Sequence, residues 1–495
     1  MRMLHWLEKR AHLTPDRIAL IGNGERITYR ELRERSLATA GRLAALGIGR
    51  GGRAALLCLN GLHVAEFVHA LNYLGAVLVP LNTRLTVQEI LFQIRDSGCR
   101  TLVYDDVFQC LAAEIKDSLP GLAAVSVAGL SAARGAAAAA FSFEIETEEV
   151  HTIMYTSGTT GHPKGVLITH DNQWASAVGS VLNLGLREED CWLVCVPLFH
   201  ISGLSALMKN VIYGMPVMIH EKFDAAAVNR AIREEGVTIV SVVSAMLSKM
   251  IAGLEEGSPC YPETFRCMLL GGGPAPLPLL EACRDRGIPV VQTYGLTETS
   301  SQIATLPSEF MLSKLGSAGK PLFQCELRVL TENGTEAPPH APGEIAVRGP
   351  SVTKGYLNRP EATDKAMRDG WLLTGDIGYL DEEGFLYVLD RRSDLIISGG
   401  ENVYPAEIEA VLLRHPGIEE AGVTGMEDEA WGQVPVAYVK LKPGADATED
   451  ELRAFCSGQL AKYKIPARIR FVEGLPRNAS NKLLRRELHK LAVTR

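Results

Sequence analysis

In Tyr155-Thr156-Ser157-Gly158-Thr159-Thr160-Gly161-His162-Pro163-Lys164-Gly165, three glycines, five hydroxyls and a lysine fall in one short stretch. Glycines let the backbone approach an anion closely, and successive amides can form an anion-binding nest. The hydroxyls add donors and Lys164 adds positive charge. The spacing from Gly158 to Lys164 is similar to that of a P-loop. Gly161, Pro163 and Gly165 nevertheless fit G-x4-G-K-[ST] badly, which argues against a kinase or P-loop nucleotidase. A plain surface hairpin would not explain these residue types concentrated together. The loop points to bound phosphate.

Upstream of the loop the chain alternates between helical and strand patterns. Thr28 with Glu31 is a capping-box signature, and Gly47 is a natural stop about five turns later. Ala54–Cys58 reads as a strand, His63–Leu74 as a helix ended by Gly75, and Ala76–Pro80 as a strand. That order predicts a βαβ unit in a parallel sheet. Residues 131–140 are a low-complexity Ala, Ser, Gly and Arg connector. From Gly343 to Leu389 short strands and turns dominate. A boundary is expected at Arg391–Asp394, between strands Phe385–Leu389 and Leu395–Ile397. Beyond it a helix (Ala406–Leu413), two strands (Glu419–Thr424, Pro435–Lys440), a helix (Thr448–Lys462), a strand and a basic helical tail suit a small α+β domain.

The 495 residues predict two or three domains, and 46% hydrophobic with 22% charged residues are ordinary for a globular protein. A net charge of −8 excludes a general nucleic-acid binder, since no basic surplus neutralises a phosphate backbone. Ten cysteines are scattered, mostly in apolar runs. Cys191 and Cys195 have C-x3-C spacing but no second pair near them, so buried reduced thiols are expected rather than zinc. Free thiols and an amphipathic N-terminus without a signal-peptide core predict the cytoplasm. No stretch has the roughly twenty apolar residues a membrane helix needs.

Further motifs follow the loop in order: Val196-Pro197-Leu198-Phe199-His200, Leu270-Gly271-Gly272-Gly273-Pro274 and Thr293-Tyr294-Gly295-Leu296-Thr297-Glu298. Gly355-Tyr356, Thr374-Gly375-Asp376, Arg391, Ser398-Gly399-Gly400-Glu401-Asn402 and Lys482 complete the series. Together with the loop they resemble the adenylate-forming superfamily of acyl-CoA synthetases, luciferases and nonribosomal adenylation domains, over nearly the whole chain. The resemblance implies an α/β and α+β fold. A large N-terminal domain (residues 1–391, βαβ-layered sheets plus a small barrel-like part) would bind ATP and acid. A small mobile C-terminal domain (392–495) would carry the adenylation lysine.

The resemblance also implies roles. Thr156, Ser157, Gly158, Thr159, Thr160 and Lys164 would hold the β- and γ-phosphates. Glu298, with Thr297, would hold Mg²⁺, a hard cation that prefers oxygen ligands. Tyr294, between Thr293 and Gly295, would stack on adenine while Gly271, Gly272 and Gly273 let backbone approach the base. Asp376 would accept both ribose hydroxyls, and Arg391 would reach the ribose or phosphate. Lys482 would neutralise charge between the acid and the α-phosphate during adenylation. The family usually has Gly before this lysine; here Asn481 stands there, and Asn tolerates the left-handed turn. Ser393 replaces the usual Asp or Lys at the hinge. Turning there would remove Lys482 and bring Gly399 and Gly400 to the site for attack by coenzyme A.

Extended stretches, including Gly236–Ser244, Phe265–Leu270, Lys320–Cys325 and Asp390–Ile397, are similar to those of the o-succinylbenzoate–CoA ligases of menaquinone synthesis. A dicarboxylate asks for polar groups deep in the acyl pocket; the candidates are His200, Ser202, Ser244, Ser300, Ser301 and Gln302. The implied reaction uses ATP, Mg²⁺, coenzyme A and a small carboxylic acid, with no membrane insertion and the oligomeric state open. The rival enzymes are a ligase for fatty or other aromatic acids and an adenylation module loading a carrier protein. No carrier domain follows in this chain.

Overall fold

The computed structural model describes residues 2–135, 140–156, 163–254, 261–272, 277–390, 395–476, 483 and 485–491. Among these, two largely parallel sheets form the body of the N-terminal part. One is six-stranded, in the order Lys164–Thr169, Val150–Thr156, Val77–Pro80, Arg53–Leu57, Thr101–Tyr104, Ala123–Ser126. The other is nine-stranded, in the order Lys320–Pro321, Ser301–Thr305, Val290–Leu296, Cys267–Leu270, Ile239–Val242, Trp192–Val194, Val217–Ile219, Ile18–Gly22, Glu25–Thr28. Their central strands, such as Ile239–Val242 and Cys267–Leu270, are buried throughout. Continuous apolar runs of this kind are what a sheet covered on both faces requires.

The expected βαβ unit is present. Arg53–Leu57 pairs in parallel with Val77–Pro80, and Leu62–Tyr73 is the crossover helix. The Thr28 capping box starts Tyr29–Ala45, with Thr28 N–H donating to Glu31 Oε2 at 2.7 Å. Thr86 with Glu89 and Thr448 with Glu451 repeat the device.

The barrel-like part of the expectation is a five-stranded antiparallel sheet built from Glu326–Leu330, Gly343–Arg348, Met367–Arg368, Trp371–Leu380 and Leu386–Asp390. It joins the nine-stranded sheet through the Gly319–Leu386 bridge. The C-terminal part has its own five-stranded sheet and its own core, centred on Val423, Ala437 and Val439. Residues 391–394 lie outside the described residues, and so does the expected hinge.

Two elements differ from expectation. The helix expected over Thr448–Lys462 spans only Glu449–Ser457. Gly458 weakens its end, and Leu460 and Ala461 turn into the core before the 3-10 turn Lys462–Lys464. The basic tail is a 3-10 helix, Arg485–Lys490. Among the described residues no helix is long and apolar enough to cross a membrane.

Candidate active site

The strands on either side of the glycine loop pair antiparallel, and Thr156 and Lys164 face each other in register. Ser157, Gly158, Thr159 and Thr160 lie outside the described residues, as do Gly273, Arg391 and Lys482. Lys164 Nζ sits 5.0 Å from the centre of the Tyr356 ring, and Tyr356 donates its hydroxyl to Glu298 Oε1 at 2.9 Å. The loop stem and the expected metal-holding acid are thus joined through one tyrosine. Glu298 is half-buried in the 3-10 turn Thr297–Thr299 that follows Val290–Leu296. A carboxylate beside a threonine hydroxyl is a hard-oxygen donor set, which suits Mg²⁺.

Tyr294 and Asp376, far apart in sequence, meet at 2.6 Å through a hydrogen bond from the tyrosine hydroxyl to Asp376 Oδ2. Both are buried; Tyr294 packs with Ile303 and Val347 and is only 6% exposed. Gly295 is required by the neighbouring strand, because a Cβ there would lie 1.7 Å from the Ser301 carbonyl oxygen. Ser300 and Ser301 both take positive φ, 54° and 98°, so the turn after Glu298 is strained for side-chain-bearing residues.

Beside this turn lies a cavity of about 510 Å³, within the range of small-molecule sites. Its wall includes His200, Ser202, Gly271, Gly272, Thr293, Gly295, Thr297, Ser301 and Gln302. Ser244 and Ser300 do not belong to it. Ser244 begins the helix Ser244–Ala252, where Val243, Ala245 and Met246 form the wall. Ser300 is fully buried behind the wall, its carbonyl accepting from Ser176 Oγ at 2.7 Å.

The residue that sequence reasoning missed is Lys209. It is 2% exposed, yet it lines the cavity, donates to Gln302 Oε1 at 3.1 Å and lies 5.2 Å from the centre of the Trp192 ring. Among the described residues no carboxylate stands within ion-pair distance of it, and burial pulls its ammonium down to about 7. The signal was in the spacing. Ser202, Ser205 and Lys209 recur at three and four residues within Ile201–Tyr213, so one helix face carries them all to the cavity.

Gly399 and Gly400 also line the cavity, although they belong to the C-terminal part. Gly399 has φ 57°, and a Cβ there would lie 2.6 Å from the Trp431 ring. Glu401, next in sequence, is 3% exposed and spans the two parts. It faces His200 Nε2 at 3.2 Å and Arg84 at 3.0 Å, and accepts from Asn82 Nδ2 at 3.1 Å. Burial pushes its carboxyl up, but His200, Arg84 and Asn82 outweigh that and hold it below the ordinary value. Cys191 and Cys195 are buried free thiols, each pushed up to about 12 by burial.

The family model for AMP-binding enzymes matches residues 7–357, and that for the AMP-binding enzyme C-terminal domain matches residues 407–482. A 2-succinylbenzoate–CoA ligase of Geobacillus kaustophilus is 59% identical, with 99% of this chain and 98% of the relative covered. An o-succinylbenzoate CoA synthetase double mutant from Bacillus subtilis, bound with its product analogue OSB-NCoA, superposes with a TM-score of 0.94. It is 49% identical, and 99% of both chains is covered. The Bacillus subtilis enzyme in complex with the acyl-adenylate OSB-AMP, also 49% identical, gives 0.77 over 100% of this chain and 99% of that one. In this chain Gly399, Gly400 and Glu401 lodge in the cavity wall. Two family models covering most of the residues that build this site leave one assignment: the chain belongs to the family of AMP-binding enzymes.

Proposed function

We propose that this protein ligates 2-succinylbenzoate to coenzyme A at the expense of ATP. The reaction passes through an acyl-adenylate and gives o-succinylbenzoyl-CoA, AMP and diphosphate in menaquinone biosynthesis. Lys209 carries the choice of acid. A substrate with two carboxylates presents one for activation and keeps a second negative charge throughout. A buried cation in the acyl cavity compensates that charge, whereas a fatty-acid or monocarboxylate pocket would gain nothing from it. Ser202, Ser301 and Gln302 supply further polar wall, and His200 lies in the wall beside Glu401.

ATP would bind with its phosphates on the glycine loop and Lys164, its ribose on Asp376 and its adenine against the exposed part of Tyr294 and Gly271–Gly272. Mg²⁺, when bound at Glu298, supplies charge neutralisation at the phosphates. Lys482 would serve adenylation from the C-terminal domain, whose boundary we place at residues 391–394. Lodging of Gly399 and Gly400 in the cavity wall supports their role in the thioester-forming half-reaction, where water must be excluded and a thiol admitted. The buried free thiols support a reducing cytoplasm as its location.

The test is Lys209→Met. With 2-succinylbenzoate, kcat/KM should fall about 100-fold, from the loss of a charge-assisted contact of roughly 3 kcal/mol. KM for ATP should be unchanged. If the variant keeps wild-type kcat/KM for the dicarboxylate, Lys209 does not read the second charge.

A further inference from the structure

Three side chains that the ligase reaction does not use converge at the carboxyl ends of two neighbouring parallel strands. Cys58 follows Arg53–Leu57, Asp105 follows Thr101–Tyr104, and His63 lies in the first turn of Leu62–Tyr73. One donor atom from each lies within 4.8 Å of the other two. His63 Nε2 is 3.0 Å from Asp105 Oδ1, and the Cys58 thiol is hydrogen-bonded to the same carboxylate. Asp105 Oδ2 also accepts the Leu59 backbone N–H at 2.7 Å. Gly61 makes this geometry possible, because a Cβ there would lie 2.6 Å from His63 Cε1 and Nδ1. The imidazole folds back over the glycine and brings Nε2 beside Asp105, without the geometry of a hydrogen bond between them.

We propose that Cys58, His63 and Asp105 form a binding site for one divalent cation of the zinc class. The donor set is one sulfur, one nitrogen and one oxygen, which favours a borderline-soft ion over Mg²⁺ or Ca²⁺. Bonds of about 2.0–2.3 Å in a tetrahedral site place donor atoms roughly 3.3–3.8 Å apart. That spacing falls inside the observed spread, so small side-chain rotations suffice. Cys58 and the His63 Nε2 atom are buried, while the His63 and Asp105 side chains as a whole are 31% and 18% exposed, so an ion enters by rotation of the surface imidazole. Binding converts the thiol to a thiolate, with its proton released to the buffer, and no electrons are exchanged.

The site is next to the cavity without belonging to it. Leu59 and Asn60 follow Cys58 and line the cavity wall. Asn60 donates to the Val196 carbonyl and accepts from Leu198 N–H, both in the segment leading to His200, and it also donates to the His220 carbonyl.

Cobalt(II) is the probe, because thiolate ligation to it produces an intense near-ultraviolet charge-transfer band. Chelator-treated protein titrated with Co²⁺ should develop this band to one equivalent, and Zn²⁺ should abolish it. Cys58→Ser should remove the band, and His63→Gln should weaken Co²⁺ binding at least 10-fold. Gly61→Ala keeps all three donors but displaces the ring, and should also weaken binding. Cobalt at Glu298 would give no such band, since that site has no sulfur. A missing band in the wild type overturns the proposal, as does an equal band in Cys58→Ser. If Cys58→Ser does not fold by circular dichroism, His63→Gln decides, and wild-type affinity there overturns it too.

Discussion

An ammonium buried in a cavity wall, with no acid within ion-pair distance among the described residues, destabilises the fold that holds it. Lys209 is in that position, and its depressed value near 7 is the measure of the cost. Unfolded, the same amine titrates near 10.4. The unfolded chain therefore binds more protons than the folded one between those values, and the penalty is fully present below about pH 7. It fades as pH rises toward 10. Lys209→Met should accordingly raise the urea midpoint at pH 7, reflecting an unfolding free energy higher by on the order of 4 kcal/mol before the loss of the Gln302 contact is subtracted. A lowered midpoint would mean that the ammonium is better solvated than its burial implies. The second residue-scale prediction concerns Lys482. Lys482→Ala should abolish acid-dependent pyrophosphate release yet still convert supplied acyl-adenylate to thioester. Normal adenylate formation by that variant would remove Lys482 from its assigned role. Lys482 was singled out because a series of motifs frames it, and it lies outside the described residues. Lys209 was passed over, despite its spacing from Ser202 and Ser205, because a lone lysine in an apolar helix reads as a side chain reaching for water.

At the scale of elements, one glutamate does two jobs. Glu89 closes the capping box of Val87–Ser97 through Oε2, and through Oε1 it pairs with Lys464 of the C-terminal part. Lys464 also binds Glu407 at 2.8 Å. Burial pulls the Lys464 ammonium down, but Glu407, Tyr463 and Glu89 together raise it above the ordinary value, so it stays charged. Glu89→Gln preserves the cap, since glutamine serves in a capping box, and removes only the charge across the junction. Thioester formation from supplied acyl-adenylate should slow about 10-fold, corresponding to roughly 1.5 kcal/mol for a charge-assisted bond. Acid-dependent pyrophosphate release should be unchanged. Equal slowing of both half-reactions would contradict a pair that favours the placement seen here. Caps and alternation made most elements legible, including the Thr28 helix and the crossover helix Leu62–Tyr73. The helix beginning at Glu449 ran short of expectation because Leu460 and Ala461 are drawn into a core that no local pattern announces.

Across the whole molecule, the sequence carries its chemistry in motifs but hides how the two parts meet. Glu401 was quoted as part of a motif without a role, yet it reaches His200, Arg84 and Asn82 on the other side of the cavity. Such contacts depend on the placement of the parts, which no single stretch encodes. A cluster of buried histidines in the N-terminal part was equally invisible. His5 stacks on Tyr73 with ring centres 3.9 Å apart, and His151 on His170 at 4.8 Å. Burial lowers all four of His5, His69, His151 and His170, with His69 and His170 brought to about 4. Unfolded imidazoles titrate near 6.5, so the stability held above that pH is lost as pH falls toward 4. At pH 5, His69 and His170 should each remove about 2 kcal/mol. Urea midpoints measured from pH 7.5 to 5 should drop steeply; a flat profile would show that the cluster is solvated.

The activity itself is tested most directly by competition. The protein is given ATP, Mg²⁺ and coenzyme A with equal concentrations of 2-succinylbenzoate, benzoate, coumarate and medium- and long-chain fatty acids, and the thioesters are identified by mass. The o-succinylbenzoyl thioester should dominate, with AMP and pyrophosphate formed in equal amount. A dominant fatty-acyl or coumaroyl thioester, with none from 2-succinylbenzoate, would contradict the assignment.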